Sequence, residues 1–179
     1  FISIHTLMIF YFSGTGNTKW AASKTAAALD DQLIDIAATL KHADNDSTFS
    51  YELKDDELVG FFFPVHGWRP PLIVKEFVHR LRINQAGSYC YVVCTAGDNV
   101  GEAVDILEKD LAEVGIKVHS AISLLMPESY VGLPFMDVDK PEKEAKKKRE
   151  ADEKLSKFID DIRQRRHGIR DILIGNWPR

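Results

Sequence analysis

Apolar and polar positions along this chain follow two different periods that take turns. Apolar stretches occur within residues 1–12, at 33–36, at 58–63, at 89–94 and at 116–125, and those at 58–63 and 89–94 are nearly continuous. A run without polar alternation is what a strand covered on both faces requires. Between the runs the spacing changes to that of a helix. Residues 19–29 read as a first helix. Ile73, Val74, Phe77, Val78 and Leu81 form one stripe, with Pro70 and Pro71 suited to the first turn before it. Val100, Ala103, Val104, Leu107, Leu111 and Val114 form another, opened by Asn99 and Glu102 in a capping-box spacing and stopped by Gly115. The last helix is expected over 141–167, burying Leu155, Phe158, Ile159 and Ile162, with Gly168 ending it. Residues 41–50 are polar and read as loop.

Five strand–helix units in alternation predict an α/β domain, a parallel sheet with helices on both faces. Its ligand-binding edge lies at the carboxyl ends of the strands. Three loops fall on that edge, at 13–18, 64–69 and 95–99. No repeat, low-complexity segment or linker interrupts the pattern, so residues 1–179 are expected to form one domain, with 168–179 as a C-terminal tail.

The first of these loops has the composition of an anion site. Ser13, Gly14, Thr15, Gly16, Asn17 and Thr18 lie between an apolar strand and a helix. The glycines let successive N–H groups turn inward, the hydroxyl and amide side chains add donors, and the helix dipole favours negative charge. The nucleotide versions of such a loop do not fit. A P-loop needs four residues between its first Gly and Gly-Lys-Ser/Thr, and the dinucleotide fingerprint needs a third Gly where Lys19 stands.

The pattern Ser-x-Thr-Gly-Asn-Thr resembles the first strand-to-helix loop of the flavodoxin family. The resemblance continues in Pro64, Val65, His66, Gly67, Trp68 and Arg69 and in Thr95, Ala96, Gly97, Asp98 and Asn99, which follow apolar strands where that family places its two flavin-clasping loops. Met126-Pro127-Glu128-Ser129-Tyr130 is similar to a segment of flavodoxin-like proteins of anaerobic bacteria that carry a fused ferredoxin module. What the resemblance implies is a flavodoxin-like three-layer sandwich with a five-stranded parallel sheet of order 2-1-3-4-5, and FMN as cofactor, bound by all seventeen residues of the three loops. It gives Gly67 the place of the glycine beside the flavin N5 edge, where a peptide flips to offer its carbonyl. Trp68 is the large aromatic of the clasping loops, read either as a flavin-stacking ring or as packing on Pro70 and Pro71. The second clasping loop departs from the family in having no aromatic, which leaves Tyr130, in the segment 126–139, as a candidate cover. Arg69 and His66 against the single acid Asp98 imply a milder flavin potential than in an acidic-site relative.

Bulk composition adds exclusions. At 179 residues, 45% hydrophobic and a net charge of −4, the chain supports one sizeable core and no electrostatically driven nucleic-acid binding. The Lys146-Lys147-Lys148-Arg149 cluster reads as a solvated helix face. The two cysteines, Cys90 and Cys94, stand ~13 Å apart on one strand, too far for a disulfide, and imply a reducing, cytoplasmic setting and no iron–sulfur module. Residues 1–7 lack the features of a signal peptide or membrane span and are expected to lie upstream of a start at Met8. No hydrolytic triad, phosphatase loop or metal-ligand spacing competes. The expected function is therefore that of an FMN-binding electron-transfer protein with ferredoxin-type or reductase partners, monomeric or weakly dimeric. An NAD(P)H-dependent FMN or quinone reductase of the same fold is the alternative, and a relative that keeps the fold without tight flavin binding is a third.

Overall fold

The computed structural model describes residues 8–85, 88–127 and 141–175. The expectations placed on residues 1–7, on Tyr130 and on the rest of 128–139 lie outside the described residues. The elements follow in the order β1 (Met8–Tyr11), α1 (Asn17–Leu29), β2 (Gln32–Asp35), α2 (Ile36–Lys41), β3 (Phe49–Leu53), β4 (Leu58–Pro64), α3 (Leu72–Arg80), β5 (Leu81–Gln85), β6 (Tyr89–Ala96), α4 (Ala103–Glu113), β7 (Ser120–Leu125), α5 (Pro141–Arg163) and β8 (Arg170–Asp171).

The main sheet is parallel and runs β2-β1-β4-β6-β7-β8. The sheet has six strands where five were expected. The sixth, β8, adds Arg170 opposite Ala121 and Asp171 opposite Ile122 at the edge beyond β7. Two charged residues carry no apolar run, so nothing in the hydropathy pattern marks them as a strand. A second, separate ladder pairs β3 with β5 in parallel, Phe49 opposite Leu81 and Tyr51 opposite Ile83.

Because side chains alternate across a strand, the central β4 feeds two cores. Val59, Phe61 and Phe63 join Phe10, Val92, Phe77 and Leu107 on the α3/α4 side. Leu58 and Phe62 join Ile9, Tyr91, Leu155 and Phe158 on the α1/α5 side. Each fully buried side chain of this size contributes about 1.5–3 kcal/mol. Between them Gly60 leaves room for Tyr91, whose hydroxyl would lie 2.6 Å from a Cβ at that position.

Local chemistry moves several boundaries. β2 ends at Asp35 because its carboxylate accepts the Ala38 N–H at 3.0 Å and starts α2. The expected capping box at Asn99 and Glu102 does not form. Glu102 occupies the N-cap of α4 without a side-chain bond. Gly115 does end α4, in the left-handed conformation with φ +80°, and the Ile116 N–H returns to the Leu111 carbonyl at 2.9 Å. The last helix stops at Arg163, short of His167, and Arg165 turns the chain with φ +49°.

Candidate functional site

At the carboxyl edge the strands hand over to loops through ladder bonds that continue past the strands themselves. Phe12 donates its N–H to the Phe62 carbonyl at 3.0 Å, Val65 to Thr95 at 2.9 Å and Met126 to Ala96 at 2.8 Å. These fix the starts of the three loops relative to one another.

In the first loop, Ser13 turns inward on its own segment. Its hydroxyl oxygen accepts the Gly16 N–H at 3.1 Å and the Lys19 N–H at 3.2 Å, holding the entry to α1 in shape. Gly16 takes φ +98°, which a side chain would strain, and no atom lies within 4 Å of a Cβ built on Gly14 or Gly16. The backbone there is open to a ligand. Thr15 is exposed, and Asn17 donates its side-chain amide to the Pro127 carbonyl at 3.3 Å. Thr18 is buried, and its hydroxyl pairs with that of Thr95 at 2.8 Å beneath the loop.

The second loop is a tight reversal. His66 and Arg69 exchange backbone bonds at 2.9 and 3.1 Å, with Gly67 at φ +55° and Trp68 at φ +63° between them. Two consecutive left-handed residues are the signature of a primed two-residue turn, and for Trp68 that conformation costs roughly 1–2 kcal/mol. Trp68 lies against Gly101, where a Cβ would sit 2.6 Å from the Trp68 Cβ, and keeps 55% of its surface exposed. The tryptophan thus ties the two clasping loops together at their rim. His66 packs edge-on to Phe12, with ring centroids 6.4 Å apart, and Arg69 is exposed.

The third loop is braced from two directions. Lys147 of α5 donates its ammonium to the Gly97 carbonyl at 3.1 Å. Behind the loop the C-terminal tail passes close by: Val100 donates to the Leu173 carbonyl at 2.9 Å, Leu173 donates to the Ser123 hydroxyl at 2.9 Å, and Gly175 abuts the Asn99 side chain. Asp98 is exposed.

Together these loops enclose one cleft of ≈ 230 Å³, open on its outer side. Thr15 and Asn17 line its polar end. Pro64, Val65 and His66 form one wall, Thr95, Ala96 and Gly97 the other, and Met126 and Pro127 close it. Ser13, Gly14, Gly16 and Thr18 shape the loop at the polar end, whereas Gly67, Trp68, Arg69, Asp98 and Asn99 lie off these walls. Apart from His66, no aromatic ring lines the cleft among the described residues. An exposed glycine-rich backbone at a helix N-terminus fits a phosphate, and backbone and small apolar walls leave room for a planar ring.

The hydropathy pattern left Lys147 among solvated charges, because the helical period places it on a polar face and says nothing of what loop lies opposite. The thiols play no part here. Burial pushes the Cys94 thiol up to about 12 and Cys90 higher still, so neither is a nucleophile. Of metal-type groupings the described residues hold His79, Asp110 and Glu113 between α3 and α4, with Asp110 already paired to Lys75 at 3.0 Å. Among the described residues no helix is long and apolar enough to cross a membrane.

No protein-family model matches this chain, and no curated protein matches it by sequence. Solved structures do. An FMN-dependent NADH-azoreductase from Bacillus anthracis in complex with FMN superposes with a TM-score of 0.51 at 12% identity, covering 86% of this chain and 99% of that one. A proposed flavoprotein from Bacteroides uniformis gives 0.49 at 21% identity over 67% and 90%. Megasphaera elsdenii flavodoxin gives 0.44 at 15% identity over 67% and 86%. At these identities the likeness speaks of fold alone: the chain has a flavodoxin-like α/β fold.

Proposed function

We propose that this chain binds FMN in the cleft between the three loops and works as a flavin-based electron carrier. The observation that carries this reading is the convergence of loops from β1, β4 and β6 on a single cleft whose polar end is the open N-terminus of α1. FMN, when bound, would supply one- and two-electron transfer. The chain's own part is to bind and orient. The backbone of Gly14 and Thr15 and the side chains of Thr15 and Asn17 would take the phosphate, with Ser13 holding the Gly16 N–H and so the shape of the loop. Pro64–His66 and Thr95–Gly97 would hold the flavin ring between them and exclude water from it. Partner proteins approach at the rim, where Trp68 and Leu72 stand exposed.

Titration of the apoprotein with FMN and with riboflavin tests this. A phosphate held by two or more charge-assisted bonds makes FMN the tighter ligand by about a hundredfold or more. Equal affinities would sink the assignment of the first loop.

A second reading is an NAD(P)H-dependent FMN or quinone reductase. Two observations favour it: among the described residues the cleft walls offer no ring besides His66 to cover a flavin face, and one structure that superposes with a TM-score of 0.51 is that of an FMN-dependent NADH-azoreductase. Bleaching of the flavin by NADH or NADPH alone, under argon, selects this reading; no bleaching until a partner protein is added selects the carrier.

A further inference from the structure

On the far side of Asn17 and Met126 from the flavin cleft lies a second cavity of ≈ 510 Å³, between α1 and α5. Both residues line both cavities, so the two are neighbours across Asn17 and Met126. Its other walls are Trp20, Lys148, Arg149 and Asp152.

These walls have a definite chemistry. Trp20, in the first turn of α1, leaves 37% of its surface exposed, and the Lys24 ammonium lies 5.8 Å from its ring centroid. Lys24 also pairs with Asp152, which removes the cavity's one negative charge from the reckoning. Lys148 is shared with Glu144 at 2.8 Å, while Arg149 has no ion pair among the described residues. What remains is an aromatic face, an uncommitted guanidinium and an anion-binding loop next door. An apolar ligand would use the ring and waste the cations; a bare anion would do the reverse. A purine carrying a phosphate uses both.

We propose that this second cavity is an adenylate site, with the base stacked on Trp20 and its phosphate on Arg149 and Lys148. The shared chemistry, an adenosine 5′-phosphate group, reaches it from either of two sources. One is FAD, whose flavin half fills the first cleft while its pyrophosphate passes Asn17. The other is the adenylate half of a nicotinamide dinucleotide arriving at a flavin-loaded protein. The placement of the flavin rests on the function proposed above; the adenylate site itself does not.

Calorimetric titration tests it on the full chain. AMP should bind the apoprotein, and Trp20→Ala and Arg149→Glu should each weaken it about tenfold, as loss of one stacked base does, while FMN affinity stays within about twofold. Melting temperatures and circular dichroism establish that the variants fold. If FAD then binds the apoprotein more tightly than FMN, and the advantage disappears in both variants, the flavin is the source. If FAD has no such advantage but NADH displaces AMP from the FMN-loaded protein, the nicotinamide cofactor is. No AMP binding to the wild type, or AMP binding that neither variant weakens, would overturn the proposal. Adenylate binding that follows Trp20 and Arg149 in a protein that takes up no FMN would uphold this site and overturn the flavin cleft instead.

Discussion

Thr18 and Thr95 join their hydroxyls at 2.8 Å, both side chains buried, and so lock the first turn of α1 to the end of β6 beneath the cleft. The bond spans two of the three loops at the base of the cleft, which Thr95 lines. Thr18→Val leaves the Thr95 hydroxyl buried and unpaired, at a cost of about 1–3 kcal/mol in unfolding free energy. Replacing both residues by Val removes donor and acceptor together and should recover most of that loss. A double-mutant cycle by urea denaturation measures the coupling; additive losses would mean the hydroxyls find other partners.

Thr15 is exposed and lines the polar end of the cleft. Thr15→Ala should therefore leave the melting temperature unchanged while weakening FMN by about 1–3 kcal/mol, the value of one charge-assisted bond. Riboflavin, which lacks the phosphate, should bind Thr15→Ala and wild type alike. Fluorescence titration of the two ligands separates the contributions.

Lys147 brings a positive charge to the Gly97 carbonyl, on a wall of the cleft proposed for a flavin, which would gain negative charge on reduction. A cation ~8 Å from that charge at an effective dielectric of ~20 favours reduction by about 2 kcal/mol, or about 90 mV for one electron before screening. Lys147→Met should lower the midpoint potential of bound FMN toward that limit. Arg69→Met should do so less and lose its effect in high salt, since Arg69 is exposed. Spectroelectrochemical titration at two ionic strengths reads both, and an unchanged potential in Lys147→Met would detach α5 from the site.

Gly101 faces the Trp68 side chain with φ +53° and no room for a Cβ. Gly101→Ala both strains the backbone and pushes Trp68 off its seat, and about 1–3 kcal/mol of stability should go with it. Emission of Trp68 should shift to longer wavelength as the ring enters water. Comparison with Trp68→Phe isolates its signal from that of the other tryptophans.

Asp31 titrates far from its usual range. Burial, with Asp30 adding repulsion and Arg165 offsetting part of it, lifts its carboxyl from 3.8 to about 7. Among the described residues neither of its oxygens, nor the Tyr91 hydroxyl, has a hydrogen-bond partner. Since the folded state holds the proton more tightly than the unfolded chain, this group's contribution is fullest below pH 3.8 and is lost as pH rises toward about 7. Asp31→Asn should raise the melting temperature at pH 8 and change it little at pH 4.5. An equal shift at both pH values would mean the carboxyl titrates normally.

The alternation of apolar runs with helical stripes made the layers and the shared edge of the three loops legible, because Phe10, Phe61 and Val92 are buried on a sheet that must be covered on both sides. It failed where periods overlap. Leu81 fits the stripe of α3, yet it has extended backbone and opens β5, and only the alternation of Leu81, Arg82, Ile83 and Asn84 hints at it. Its partner β3 carries the same alternation in Phe49, Ser50, Tyr51 and Glu52, inside and beside a stretch read as loop. In the site, the loop residues were readable because their conformations are local. Lys147 on Gly97, Trp68 on Gly101 and Gly175 on Asn99 were not, because each joins segments that only the fold brings together.

That last contact sets an order of assembly. β1, β4 and β6, with all three loops, leave the ribosome well before residues 170–175, yet the loop after β6 is backed by Leu173 and Gly175. A chain that ends before residue 170 therefore carries all three loops while the loop after β6 still lacks its support. A chain stopped inside α5 would lack both that support and the buried Leu155, Phe158 and Ile162, so the proposed cleft is complete only once residue 175 has joined the fold.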